Sequence, residues 1–324
     1  MKKISEGILA ALWTPTDAAE QIIVSALKQN LAFLKRQRVH GILALGSTGE
    51  FLRLETAQRK RLVELVMAHA DGLPVIVNVS DTRPSAVAES ARFAKQAGAS
   101  GVALLPPWFF PIPQADLVEW FVRAANATDL PFFLYNFPER TGNRIAPETV
   151  AAVADRVPLA GIKQSGAEFA YHETLIKLGR EKNFAVFTGS DTRIAEAMQL
   201  GASGCIGGLA NGVPDLMVHI YESVKGGKPK EAAESTERIK AVGKLVEQLE
   251  FPLNVAALME ARGLVPGFPK FVVSPEMQQR YRRLIEELRA ALQSWHLAPV
   301  EKIAEQMAGS AGASGKSGSA LVSK

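Results

Sequence analysis

The chain has 324 residues, 47% hydrophobic and 22% charged, an ordinary globular balance with ample apolar material for a core. Its formal charge of +4 arises from 37 basic against 33 acidic residues, scattered without a basic run interleaved with aromatics, so nucleic acid is not an expected partner. A lone cysteine, Cys205, excludes an internal disulfide and fits a reducing, cytoplasmic setting, and no apolar run nears the roughly 20 residues of a membrane span.

Short apolar runs alternate with helix-like segments along the chain. The first run, 8–13, ends at Thr14-Pro15 and precedes a helical segment over 18–38 with Ile22, Leu27, Leu31 and Leu34 at helical spacing. A second run, 41–45, closes on Gly46-Ser47-Thr48-Gly49-Glu50, and 53–70 reads as the next helix. Strands are expected at 74–79, 101–105 and 131–134, separated by helices over 85–97 and 114–127. Pro147 opens a helix at its favoured first-turn position, leading to a strand over 157–162 that Lys163 closes. Segments 168–180 and 192–200 read as helices around strands at 184–188 and 204–206.

Eight strand-helix units within about 220 residues predict a closed (β/α)8 TIM barrel over 1–227 rather than an open doubly wound sheet. No Gly-x-Gly-x-x-Gly follows a strand, which argues against a dinucleotide site. Beyond Lys228 the pattern turns helical only, at 231–249, 252–262 and 275–292, predicting a C-terminal three-helix extension over 228–306. The Ala/Gly/Ser/Lys composition of 307–324 reads as a disordered tail without a catalytic part.

Lys163 is the residue that needs explaining. A lysine closing a buried strand is partly desolvated, and desolvation disfavours the charged form of an amine; a neutral amine attacks carbonyls and forms Schiff bases. Taken alone, a lysine that lays its stem on the strand and points its head at water is the simpler reading. Its company changes the balance. The active site of such a barrel forms at the C-terminal ends of the strands, where Thr14, Ser47, Thr48, Asp81, Tyr135, Lys163, Gly189, Asp191, Ile206 and Gly208 gather. A lysine nucleophile, a phenol as proton carrier and hydroxyls holding a carboxylate make a set suited to carbonyl chemistry. Each piece also has a structural explanation: Ser47, Thr48 or Asp191 as a helix cap, Tyr135 as a core tyrosine. The five histidines lie far apart, so no histidine metal site is expected.

These residues are recognisable together. Gly46-Ser47-Thr48-Gly49-Glu50, Tyr135-Asn136-Phe137-Pro138-Glu139-Arg140-Thr141-Gly142, Gly161-Ile162-Lys163 and Gly201-Ala202-x-Gly-x-Ile206 resemble the dihydrodipicolinate synthase/N-acetylneuraminate lyase family, in order and at the family's spacing. The resemblance implies a class I Schiff-base lyase acting on pyruvate or a related 2-oxo acid, without metal or organic cofactor, as a homotetramer or homodimer. By it Lys163 forms the imine, Tyr135 shuttles the proton, and Thr48 belongs with them among the catalytic candidates. Ser47 and Thr48 hold the 2-oxo acid carboxylate, while Arg140, Gly189, Asp191, Ile206 and Gly208 line the rest of the substrate site.

The subgroup is less plainly marked. Arg140 matches the arginine with which synthases hold their second substrate, but Trp108 and Phe109 stand where synthases carry paired tyrosines, and Ser47 replaces a threonine. Thr192 and Gly208 replace the glutamate and serine of sialic acid lyases, and Pro106-Pro107-Trp108 is closer to sugar-acid dehydratases and 2-keto-3-deoxy sugar acid aldolases. Leu45, Trp108, Phe109, Phe110 and Phe137 suggest an apolar wall. The expected activity is aldol cleavage, condensation or dehydration of a 2-keto-3-deoxy sugar acid or hydroxy-oxo acid. The alternatives are 4-hydroxy-tetrahydrodipicolinate synthesis from pyruvate and aspartate semialdehyde, and a barrel that binds 2-oxo acids without turning them over.

Overall fold

The computed structural model describes residues 4–300 except 167 and 298; the tail expected at 307–324 lies outside the described residues. Eight parallel strands close into a barrel in the order β1 to β8. In chain order the elements are β1 (Gly7–Ala11), α1 (Val24–Arg36), β2 (Gly41–Ala44), α2 (Thr56–His69), β3 (Val75–Asn78), α3 (Pro84–Gln96), β4 (Gly101–Leu104) and α4 (Gln114–Ala125). The second half adds β5 (Phe132–Asn136), α5 (Pro138–Thr141), α6 (Pro147–Arg156), β6 (Leu159–Gln164), α7 (Tyr171–Lys182), β7 (Ala185–Thr188), α8 (Ile194–Leu200), β8 (Gly204–Gly207) and α9 (Pro214–Lys225). Three further helices follow: α10 (Pro229–Val246), α11 (Leu253–Ala261) and α12 (Pro275–Ser294).

The strands form because they are apolar without alternation, as a sheet covered on both faces requires. Nearly every strand residue is buried, and the helices lay stripes such as Leu27, Leu31 and Leu34 of α1 against them. Proline at the first turn sets the start of α3, α5, α6, α9, α10 and α12. Closure pairs Gly7 with Gly204 and Ala10 with Gly207. The β1–β8 seam is tight: Gly204 has φ +145°, and a Cβ there would lie 2.0 Å from the Gly7 carbonyl oxygen.

One helix begins later than its periodicity predicts. The segment 18–38 yields α1 only from Val24, because the Asp17 carboxylate accepts from the N–H groups of Ala19 and Gln21, both at 2.9 Å. That side-chain turn competes with helical hydrogen bonding and holds Glu20 at φ 61°.

The connection from α11 to α12 returns to the C-terminal end of β1. Trp13 Nε1 donates to the Pro266 carbonyl at 2.7 Å, and the Phe268 N–H donates to the Thr16 carbonyl at 2.7 Å. Trp13, Phe33, Val255, Ala256, Met259 and Leu264 form a small apolar cluster beneath this crossing.

Candidate active site

Register brings the two chemical candidates together. Tyr135 on β5 and Lys163 on β6 are paired residues of adjacent strands, so their side chains leave the sheet on the same face. Both are buried, at 1% and 6% exposure, and Lys163 Nζ lies 3.2 Å from Tyr135 Oη and 4.3 Å from the ring centroid. Ser47 Oγ sits 3.2 Å from the same phenol oxygen. The result is a chain of hydroxyl, phenol and amine in which a proton can pass between neighbours. The next rung up the strands fixes it: Asn136 Nδ2 donates to Gln164 Oε1 at 2.7 Å, and the Ile145 N–H donates to Asn136 Oδ1 at 3.0 Å.

The turn after β2 supplies donors. The N–H groups of Gly49 and Glu50 are spent on the carbonyls of Gly46 and Ser47, both at 3.1 Å, which leaves those of Ser47 and Thr48 outside the turn's own hydrogen bonds. Leu45 and Glu50, on either side of this turn, have φ 58° and 55°, a region that side-chain-bearing residues occupy at a cost and that clusters at functional sites. Neither Ser47 nor Thr48 caps a helix; a single 3₁₀ turn over Phe51–Arg53 follows instead, with Glu50 at its N-cap. The hydroxyl bonded to the phenol is Ser47's. Thr48 is buried against Gly208, where a Cβ would lie 3.2 Å from its Oγ1.

On the far side, the Gly189 N–H donates to the Gln164 carbonyl at 2.6 Å. The Asp191 carboxylate turns toward β8 and accepts from the N–H groups of Gly208 at 3.2 Å and Leu209 at 3.1 Å, with Cys205 Sγ at 3.6 Å. Burial pushes its pKa up, against the opposing pull of those N–H groups and the Lys163 charge. Burial also pushes the Cys205 thiol well up, which leaves it a poor nucleophile. Asp191 therefore shapes the turn that follows β8. Ile206 is buried within β8, paired with Leu9.

Arg140, on the one-turn α5, is exposed, its guanidinium 5.9 Å from the Phe137 ring centroid and 5.4 Å from that of Phe251. Phe137 stacks beside Tyr135 at 6.3 Å. Trp108 is half-buried and edge-on to Phe51 at 5.9 Å. Phe109 and Phe110 are 85% and 70% exposed in the single chain and do not join Tyr135 in the barrel. Leu45 instead borders a cavity of about 250 Å³ with Val63, Ser80 and Phe93.

Two contributors escape sequence reasoning. Asn211 donates to the Ala11 and Gly208 carbonyls, both at 2.8 Å, and accepts from the Trp13 N–H at 2.9 Å, tying the ends of β1 and β8. Lys270, from the α11–α12 connection, is buried against Glu50 with Nζ 3.1 Å from the carboxylate. No metal-binding group of three or more His, Cys, Asp or Glu occurs among the described residues, and none of their helices is long and apolar enough to cross a membrane.

A closed parallel barrel with a buried lysine–phenol pair at the C-terminal ends of its strands defines a class I, Schiff-base lyase acting on pyruvate or a related 2-oxo acid. Residues 4–288 match the Dihydrodipicolinate synthetase family, and the chain belongs to it. It is 29% identical over 286 residues to a 4-hydroxy-tetrahydrodipicolinate synthase of Methanospirillum hungatei, covering 87% of this chain and 98% of that one. It is 28% identical over 289 residues to an uncharacterized DapA-like lyase of Halobacterium salinarum, covering 89% and 92%. Among solved structures it is similar to YagE, a prophage protein of the dihydrodipicolinic acid synthase family from E. coli K12 in complex with pyruvate, with a TM-score of 0.83 and 26% identity over 91% of this chain and 100% of that one.

Proposed function

We propose that Lys163 attacks the keto carbon of pyruvate or a related 2-oxo acid and that the enzyme makes or breaks a bond at the adjacent carbon. The observation that carries this is the Ser47–Tyr135–Lys163 chain. Nζ forms the C–N bond, the former keto oxygen leaves as water with a proton from Tyr135, and a protonated imine remains on Lys163. That imine draws electrons from the bond between C3 and C4. As the bond breaks, the C4 hydroxyl gives its proton to the Tyr135 oxygen, an aldehyde departs, and the enamine takes a proton at C3 before hydrolysis releases pyruvate. Condensation with an aldehyde runs through the same enamine in reverse. Dehydration instead keeps the C3–C4 bond: the imine loses a C3 proton to give the substrate's own enamine, which expels the C4 hydroxyl as water with a proton from Tyr135. Ser47, Thr48 and their N–H groups hold the substrate carboxylate, and no external cofactor is needed.

Aldol cleavage or dehydration of a 2-keto-3-deoxy sugar acid or hydroxy-oxo acid is favoured over synthase chemistry by Trp108 and Phe109. Neither has a hydroxyl that can accept and pass on a proton, so a relay beyond Ser47 through a second phenol is broken. The synthase reading rests on Arg140 and on the names of relatives such as the Methanospirillum protein. Exposed Phe109, Phe110 and Phe268 support self-association, as a homotetramer or homodimer, and the lone buried thiol of Cys205 supports a cytoplasmic setting. Intact mass after pyruvate and sodium borohydride tests the mechanism: a reduced pyruvyl adduct is expected on the wild type and absent from Lys163→Ala. An adduct on Lys163→Ala would sink the assignment. Turnover of 2-keto-3-deoxy sugar acids against formation of the dihydropyridine product then separates the two reactions.

A further inference from the structure

We propose that Lys270, some 107 residues beyond the nucleophile and outside the barrel strands, is a positioning residue for the substrate carboxylate, acting through Glu50 on the Ser47-Thr48 turn. The inference rests on the reading of Lys163 as the imine-forming residue and of that turn as the carboxylate site.

The Lys270 and Glu50 side chains are 3% and 4% exposed, with Nζ 3.1 Å from a Glu50 carboxylate oxygen. Nζ also donates to the Thr14 carbonyl at 2.7 Å and lies 4.8 Å from the Trp13 ring centroid. One ammonium thus spans the end of β1 and the turn after β2. Arg53 holds the other Glu50 carboxylate oxygen, and its guanidinium stacks 4.4 Å from the Phe271 ring centroid. The α11–α12 connection therefore reaches Glu50 twice, directly by Lys270 and through Phe271 and Arg53.

Glu50 follows the two candidate carboxylate-binding residues by only two positions and is held at φ 55°. A conformation of that kind persists only where its surroundings over-determine it. The carboxylate, clamped by a lysine and an arginine, supplies that constraint. Its backbone then transmits it, since the Glu50 N–H donates to the Ser47 carbonyl. Packing does not fill the role alone: a cavity of about 530 Å³, lined by Trp13, Glu50, Leu253, Phe268, Phe271 and Tyr281, adjoins the crossing. A buried ammonium with no structural task would be costly, and Lys270 is paired in the one place where it fixes a strained turn.

The test measures the pyruvate concentration that half-saturates borohydride trapping at Lys163, alongside the melting temperature, in the full chain. Lys270→Met, which keeps the stem and removes the charge, is expected to raise it by about tenfold, the scale of losing one hydrogen bond to a charged group, with maximal adduct unchanged. Lys270→Arg should stay within about threefold of the wild type. If Lys270→Met does not fold, Glu50→Gln/Lys270→Met removes both buried charges together and should show the same rise. An unshifted half-saturation in the charge-free variant overturns the proposal, as does a lower maximal adduct without a shift, because lost folded protein scales the amount and not the affinity. A wild type that gives no adduct overturns the mechanism itself, whereas a trapped wild type with an unshifted variant overturns only the role of Lys270.

Discussion

Tyr135 Oη stands 3.2 Å from Lys163 Nζ because the two residues are register partners on β5 and β6. Strand pairing, rather than a flexible loop, sets their separation. Lys163→Ala should remove both turnover and the borohydride adduct. Tyr135→Phe keeps the ring and the packing but removes the proton carrier, so kcat should fall by about two to four orders of magnitude, the range for a positioned acid or base. Steady-state kinetics with any substrate that Lys163 processes checks this. A fall of less than about tenfold would leave the proton to another group.

Gly189 is set by close approach. A Cβ there would lie 2.0 Å from Ser165 Oγ and 2.9 Å from Ser165 Cβ. Gly189→Ala should cost about 1–3 kcal/mol of stability, as overpacking does. Ser165→Gly in the same chain removes both offending atoms and should return most of that loss. Denaturant unfolding of the two single variants and the double checks the coupling; additive losses would mean that the strain resides elsewhere.

Much of this was legible before folding. The barrel strands are apolar runs whose polar residues are confined to their C-terminal ends, which is what burial on both faces demands, and Lys163 stands out because a lysine at a buried strand end is costly. The start of α1 was not legible, since Asp17 closes its own turn while Ile22 still matches helical spacing. Asp191 shows a different limit. From sequence it is a cap or a lining residue, yet its carboxylate meets N–H groups 17 and 18 residues away, a contact made only when β7 and β8 pair. Lys270 lies in a proline-rich connection without periodicity, and nothing in the sequence marks it. Its burial against a carboxylate 220 residues earlier comes from the fold alone.

The proposed role of Arg140, holding the carboxylate of a second substrate, would separate acidic from neutral partners. Its guanidinium rests near Phe137 and Phe251 rather than in an ion pair among the described residues, so it is available to a ligand carboxylate. With a carbon partner that bears a carboxylate, Arg140→Ala should raise KM about tenfold or more, the cost of one charged hydrogen bond, while pyruvate trapping stays within about twofold. An unchanged KM for an acidic partner would remove Arg140 from the substrate site.

Asp191 gives the site a pH signature in stability. Burial raises its folded pKa above the ordinary 3.8, against the attraction of Lys163 and the N–H groups of Gly208 and Leu209, with the Cys205 thiol also facing it. Below pH 3.8 the group is neutral in both the folded and unfolded chain and contributes no pH dependence. As pH rises from there through the raised folded value, the unfolded chain releases its proton first, so the contribution present at low pH is lost. Asp191→Asn lacks this titration. The variant's melting temperature relative to the wild type should therefore climb as pH rises above 3.8 and then level off. Any constant offset from the amide's poorer fit to two N–H donors cancels in the difference. Paired thermal scans of the two proteins from pH 3.8 upward measure it. A gap that narrows with rising pH would mean that the carboxylate is stabilised as its anion by Lys163 more than it is penalised by burial, and would recast Asp191 as the lysine's ion-pair partner.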